Sequence, residues 1–204
     1  MRTKSLAIAV ATVALGATLA ACGNGDDQTG STGGASRIST SPSATTTAQQ
    51  TPEFNAADIT FATDMIPHHQ QALEMAKLAQ GRTTDPRVTQ LAQQIMKAQD
   101  PEIQTMTGWL RAWGRPVPQD MSGMDMSGSM PGMMSTDDMN TLKSSSGTEF
   151  DTTFLKMMIK HHRGAIQMAE TELASGSNAD AKALAAKVKA AQTTEISTME
   201  SLLK

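Results

Sequence analysis

The stretch MIPHHQQALEM, residues 65–75, returns 93 positions later as MIKHHRGAIQM, residues 158–168. The chain has four histidines, and these two stretches hold them all. The register extends well beyond the histidines. Asp58 falls on Asp151, Phe61 on Phe154, Met65 on Met158, His68 and His69 on His161 and His162, and Met75 on Met168. Further on, Leu91 falls on Leu184, Gln99 on Gln192, Glu102 on Glu195, Met106 on Met199 and Leu110 on Leu203. A gapless match of that length identifies a tandem duplication.

Each copy reads as a helical hairpin. In the first, helices are expected from about Asn55 to Gln80, stopped by Gly81, and from about Pro86 to Trp113, capped by Asp85. In the second they are expected from about Thr148 to Ser175, closed by Gly176, and from about Asn178 to Leu203. Leu91, Ile95, Ala98, Met106 and Leu110 recur at helical spacing, so each hairpin has an apolar face to bury. Two such hairpins cover each other most simply as an all-α four-helix bundle. Pro67 and Pro101 lie inside the first hairpin, where the second carries Lys160 and Thr194. Kinks are expected there, the alternative being helices broken near Ile66 and Asp100.

The bundle accounts for residues 53–204: a first hairpin over 53–113, a connection over 114–147 and a second hairpin over 148–204. The connection is unusually long for a compact domain and is read as a loop. It places Met121, Met124, Met126, Met130, Met133 and Met134 among Ser, Gly and Pro. Thioethers at such spacings in a flexible segment suit weak, releasable capture of soft ions, against a partner-binding or oxidation-scavenging role.

Ahead of the bundle, residues 1–21 combine a basic start with an apolar run too short to span a bilayer comfortably, as an export signal does. Leu19-Ala20-Ala21-Cys22 resembles a lipobox, which makes Cys22, the only cysteine, the expected lipidation site. Residues 22–52 are rich in Gly, Ser and Thr and read as a disordered tether. The expected location is therefore extracytoplasmic, on the surface of the bacterial cell membrane. A net charge of −3, from 17 basic and 20 acidic residues, gives no electrostatic reason to expect nucleic acid as a partner.

At about 100° per residue, Met65, His68, His69, Ala72 and Met75 share an arc of about 120° on one helix. Met158, His161, His162, Ala165 and Met168 do the same on its copy. If the hairpins pack about a pseudo-twofold axis, the two arcs can face each other. Met65 and Met158 stand where di-iron bundles place the Glu of a Glu-x-x-His pair. Thioether for carboxylate removes charge and softens the site, favouring copper, above all Cu(I), with Ag(I) as a surrogate. Thioether and imidazole also hold a soft ion outside the cytoplasm without forming disulfides. Gln99, Glu102, Gln192 and Glu195 are candidates to hold the outer ring N–H of a ligating histidine, against a reading as plain helix-surface polarity. The metal reading competes with a bland one, since methionine stripes are more often core and histidines on apolar faces are often packed.

Phe61–Ala76 and Phe154–Ala169 resemble the repeated F...MI.HH..A..MA signature of the domain-of-unknown-function family 305. The downstream Q..EI..M..WL pattern appears at Gln99–Leu110 and, as Q..EI..M..LL, at Gln192–Leu203. The resemblance implies a ferritin-like four-helix bundle, commonly exported or lipid-anchored, with some relatives binding copper or silver. By position it nominates Met65, His68, His69, Met75, Met158, His161, His162 and Met168. The expected function is non-enzymatic binding of soft metal for sequestration, buffering or transfer. The alternatives are a structural or adaptor bundle of the envelope and a metal-dependent oxidase.

Overall fold

The structure is a computed structural model that describes residues 53–119 and 130–204. The expected signal and tether, with Cys22, and Met121, Met124 and Met126 lie outside the described residues. Helix α1 spans Ala56–Leu78, α2 Pro86–Ala112, α3 Thr136–Ser144, α4 Gly147–Ser175 and α5 Ala179–Leu202. No strand occurs among the described residues.

Local chemistry sets the helix ends. Asn55 and Asp58 form a capping box at the start of α1, each side chain accepting from the other's backbone N–H. Asp85 caps α2 ahead of Pro86 at its first position. Asn178 caps α5 through the Ala181 N–H. The chain turns out of α1 at Gly81, with φ +78°. Helices α1 and α2 run without a break through Pro67 and Pro101, so neither proline ends its helix.

The connection differs from its reading as a plain loop. Ser135 and Asp138 make a capping box that starts α3, which buries Met139 and Leu142. Ser, Thr and Asp favour a helix start when apolar residues a turn later have a core to enter, and that tertiary context decided the segment.

Helices α1 and α4 form the central pair, with α2 packed on α1 and α5 on α4. Two apolar clusters fill the bundle. One gathers Ala72, Met75, Leu91, Ile95, Phe150, Phe154 and Met158, and the other Phe61, Met65, Ile66, Met106, Leu110, Ala165 and Val188. Along each long helix the two clusters are separated by the same short interval. It carries His68 and His69 on α1, Gln99 and Glu102 on α2, His161 and His162 on α4, and Gln192 and Glu195 on α5. A polar layer therefore crosses the bundle at mid-height, built from repeat-related residues.

Two glycines give predictions of opposite sign. Gly147 opens α4 at φ +57° and donates its N–H to Arg82 O at 2.7 Å, so Gly147→Ala should lower stability by about 1 kcal/mol. Gly108 lies on the exposed face of α2 with open space where a Cβ would go, so Gly108→Ala should raise stability by about 0.5–1 kcal/mol. Shifts of the urea midpoint in those directions would check both.

Candidate metal centre

The helical arc drawn from the sequence is an inward face. Met65, Met75, Met158 and all four histidines are fully buried. The two motifs meet across α1 and α4, where the His68 and His161 rings lie 3.8 Å apart, tilted by 38°. The His161 and His162 ring centroids are 6.4 Å apart. Met65 packs in the cluster that also touches Met168, while Met75 and Met158 share the other, so thioethers from both motifs flank the imidazole layer above and below. Met168 is only partly buried and lines a surface pocket with Phe61, Asp64 and Glu172.

Three ring nitrogens have acceptor partners. His69 Nε2 is 3.0 Å from Glu102 Oε2, and His162 Nε2 is 2.6 Å from Glu195 Oε2. His68 Nε2 is 3.1 Å from the carbonyl oxygen of Pro131. A carboxylate or carbonyl oxygen can only accept, so each of these nitrogens carries a proton and donates. In the neutral ring the Nδ1 lone pair is then bare. Nδ1 of His68, His69 and His162, and both nitrogens of His161, are buried with no hydrogen-bond partner. Five of the eight ring nitrogens are thus orphaned inside the bundle, an arrangement that costs desolvation energy unless something else satisfies it.

Burial keeps the central pair of rings, His68 and His161, uncharged. Burial, reinforced by the neighbouring His69, pushes His68 down to about 3. Burial and then the adjoining His68 hold His161 well below the usual imidazole range. Burial would raise Glu102, but the hydrogen bond from His69 and the ion pair with Lys187, Nζ to Oε1 3.1 Å, outweigh it, and the carboxyl lies below its ordinary value.

Of the four polar residues singled out on α2 and α5, Glu102 and Glu195 bind histidine rings, each 33 positions beyond its partner. Gln99 does not: neither atom of its amide has a partner, and Gln192 Oε1 has none either. Among the loop methionines, Met133 and Met134 are buried, Met134 within the apolar cluster of Met75 and Met158, and Met130 is half-buried. They sit in packed structure instead of a flexible segment. Among the described residues no three His, Cys, Asp or Glu side chains gather as a metal would require. A centre here has to draw on thioethers.

The sequence profile described as Domain of unknown function (DUF305) matches residues 58–203. The chain is similar to the crystal structure of a DUF305 protein from Streptomyces coelicolor, there described as a candidate secreted protein. Identity is 36%, with 72% of this chain and 91% of that one covered at a TM-score of 0.65. It is also similar to CopM in its Cu(II)-bound form, with 32% identity over 72% of this chain and 95% of that one, TM-score 0.63. CopM has further been solved in Cu(I)-bound and silver-bound forms. A curated relative, uncharacterized protein L153 of Acanthamoeba polyphaga mimivirus, is 43% identical over 53 residues, and this chain spans 35% of its length.

Proposed function

This chain belongs to the DUF305 family, and from that premise we propose that it binds Cu(I), with Ag(I) as a surrogate, between α1 and α4, as a non-enzymatic extracytoplasmic sequestering or transfer protein. The observation that carries the reading is the set of five orphaned, buried ring nitrogens in a layer flanked by Met65, Met75, Met158 and Met168. Copper is the cargo here. The copper-bound and silver-bound forms of CopM support the choice of element.

Charge and softness support the choice of oxidation state. Imidazole Nδ1 and thioether sulfur are neutral donors, so a bound ion brings its whole charge into a desolvated layer. Of the two carboxylates reached through one imidazole, Glu102 is already paired with Lys187, which leaves Glu195 to offset a single positive charge. A second charge would have no further partner at that distance, and a thioether is a poor donor to the harder Cu(II). His69 and His162, oriented through Nε2, offer Nδ1 to the ion, and the methionines on either side of the layer supply the thioether donors. The lipobox-like Cys22 supports a membrane-surface location, and the secreted description of the Streptomyces relative supports an extracytoplasmic one.

The test is retention of Cu(I) and Ag(I) by the intact chain, by a variant with His68, His69, His161 and His162 all changed to Ala, and by one with Met65, Met75, Met158 and Met168 all changed to Leu. The leucine variant keeps volume and apolarity, so its fold should survive. Both variants should lose the tight ion, and saturating Ag(I) at about 100 times Kd should stabilise only the wild type, by about 2.7 kcal/mol. Equal retention by all three would sink the proposal. Oxygen uptake with Cu(I) should stop at stoichiometric consumption; sustained turnover would instead favour the oxidase.

A further inference from the structure

The four imidazoles are fully buried, so an ion has to pass something to reach them. The segment Pro131–Met134 lies against the His68 ring and against the α4 backbone at His161. The outer side of Pro131 is exposed, while its carbonyl accepts the hydrogen bond from buried His68. Gly132 is pressed against α4: a Cβ there would stand 2.8 Å from Lys160 O, 2.9 Å from His161 O and 2.9 Å from Gly164 Cα. On the helix side, a Cβ on Gly164 would overlap the Pro131 carbonyl.

The segment's far end is held by a reciprocal pair. The Gln71 side chain donates Nε2 to Met134 O at 3.0 Å, and its Oε1 accepts from Met134 N at 2.8 Å. Gln71 and Gly164 occupy the same position in the two copies of the repeat, 93 residues apart. One copy supplies an amide that grips the strap, and the other supplies the missing side chain that lets it lie down. A single strap touches both copies, Gln71 on one and Gly164 on the other, so the copies are not alike at that position. His68 and His161 differ accordingly: His68 has the Pro131 carbonyl and His161 has no partner.

We propose that Gln71 and Gly164 are positioning residues that seat the Pro131–Met134 strap over the paired His68 and His161 rings, fixing the His68 ring and controlling entry of the ion. This rests on the metal-binding reading for the identity of what enters, but the strap itself can be tested without metal. Release of the strap uncovers His68 and His161, whereas His69 and His162 remain tied to Glu102 and Glu195 on the flanking helices.

The experiment uses the full chain as wild type, Gln71→Ala, Gln71→Glu and Gly164→Ala, with helicity and melting temperature recorded for each. Carbethoxylation of each histidine by diethyl pyrocarbonate is followed residue by residue by peptide mass spectrometry, and Ag(I) association and dissociation by stopped flow. Modification of His68 and His161 should rise on the order of tenfold in Gln71→Ala, which removes two hydrogen bonds limiting a local opening, and in Gly164→Ala, which drives a Cβ into the Pro131 carbonyl. His69 and His162 should change little. Ag(I) association and dissociation should both accelerate, with a smaller change in Kd. Gln71→Glu keeps the acceptor for Met134 N and loses the donor, so it should fall between. Equal acceleration at all four histidines, tracking lost stability, would overturn the proposal, as would no change in well-folded variants. Absence of Ag(I) binding in every protein, with the two pairs of histidines still diverging, would support the strap and remove the metal reading.

Discussion

Asp58→Ala is expected to destabilise the bundle by about 3–5 kcal/mol, because a buried carboxylate that organises several donors is lost at once. Asp58 is fully buried and accepts from Asn55 N at 2.6 Å, Ser177 N at 3.1 Å, Ser177 Oγ at 3.0 Å and Asn178 N at 2.9 Å. It thereby ties the start of α1 to the turn between α4 and α5. Glu172 is also buried, and neither of its oxygens meets a donor. A Cβ on Gly176 would touch both Glu172 Oε1 and Asp58 Oδ1, so the two carboxyls meet over that glycine. They are compatible only if Glu172 keeps a proton to donate to Asp58.

The pH dependence follows from that sharing. Burial and then the neighbouring Asp58 push Glu172 up to about 8 from its ordinary 4.5. Burial works against ionised Asp58, yet its backbone hydrogen bonds prevail and bring it down to about 2 from 3.8. Between pH 4.5 and 8 the folded chain holds a proton at Glu172 that the unfolded chain has released, so this contribution to stability is complete below 4.5 and is lost as pH rises through 8. The Asp58 contribution is complete above 3.8 and is lost as pH falls toward 2. Glu172→Gln, whose amide donates to Asp58 at any pH, should raise the melting temperature at pH 8 and flatten the slope between pH 5 and 8. A wild-type slope that survives this substitution would exclude the shared proton.

Much of this molecule is legible from agreement between its two halves. The copies agree at His68 and His161, at His69 and His162, and at Glu102 and Glu195, and these positions form the mid-bundle polar layer. Helical periodicity placed the imidazoles and thioethers on one arc, and apolar burial turned that arc inward. What could not be read this way lies where the copies disagree. Gln71 stands against Gly164, and Ala79 against Glu172, the partner of Asp58. Periodicity is blind to such sites, since each contact joins residues from different elements and has no counterpart in the other half. Helix α3 is hidden for another reason: its Ser135-x-x-Asp138 start signal opens only nine residues, and burial of Met139 and Leu142 is what holds them helical. The exclusion of the Gln99 amide from any histidine depends on side-chain rotation, which spacing alone does not fix.

The two carboxylates behind the histidines should not be equivalent. On the proposed function, Glu195→Ala is expected to weaken Cu(I) or Ag(I) binding by about 100-fold and Glu102→Ala by about 10-fold, the span typical of residues that orient a metal-binding imidazole. Glu195 takes the His162 Nε2–H at 2.6 Å, which fixes the tautomer and pushes electron density toward Nδ1. Glu102 takes the His69 Nε2–H at 3.0 Å through one oxygen and holds Lys187 with the other. The ammonium draws charge from Glu102, so His69 is the weaker donor. Its repeat counterpart is Gln94, which carries no charge, and the asymmetry is therefore written into the chain. Lys187→Gln should strengthen binding of the ion by a few-fold, because it returns the full carboxylate charge to the His69 imidazole. Competitive titration of each variant against a chromogenic Cu(I) chelator measures all three effects. Equal losses from Glu102→Ala and Glu195→Ala, with no gain from Lys187→Gln, would mean that these carboxylates only support the packing of the helices and do not tune the ion.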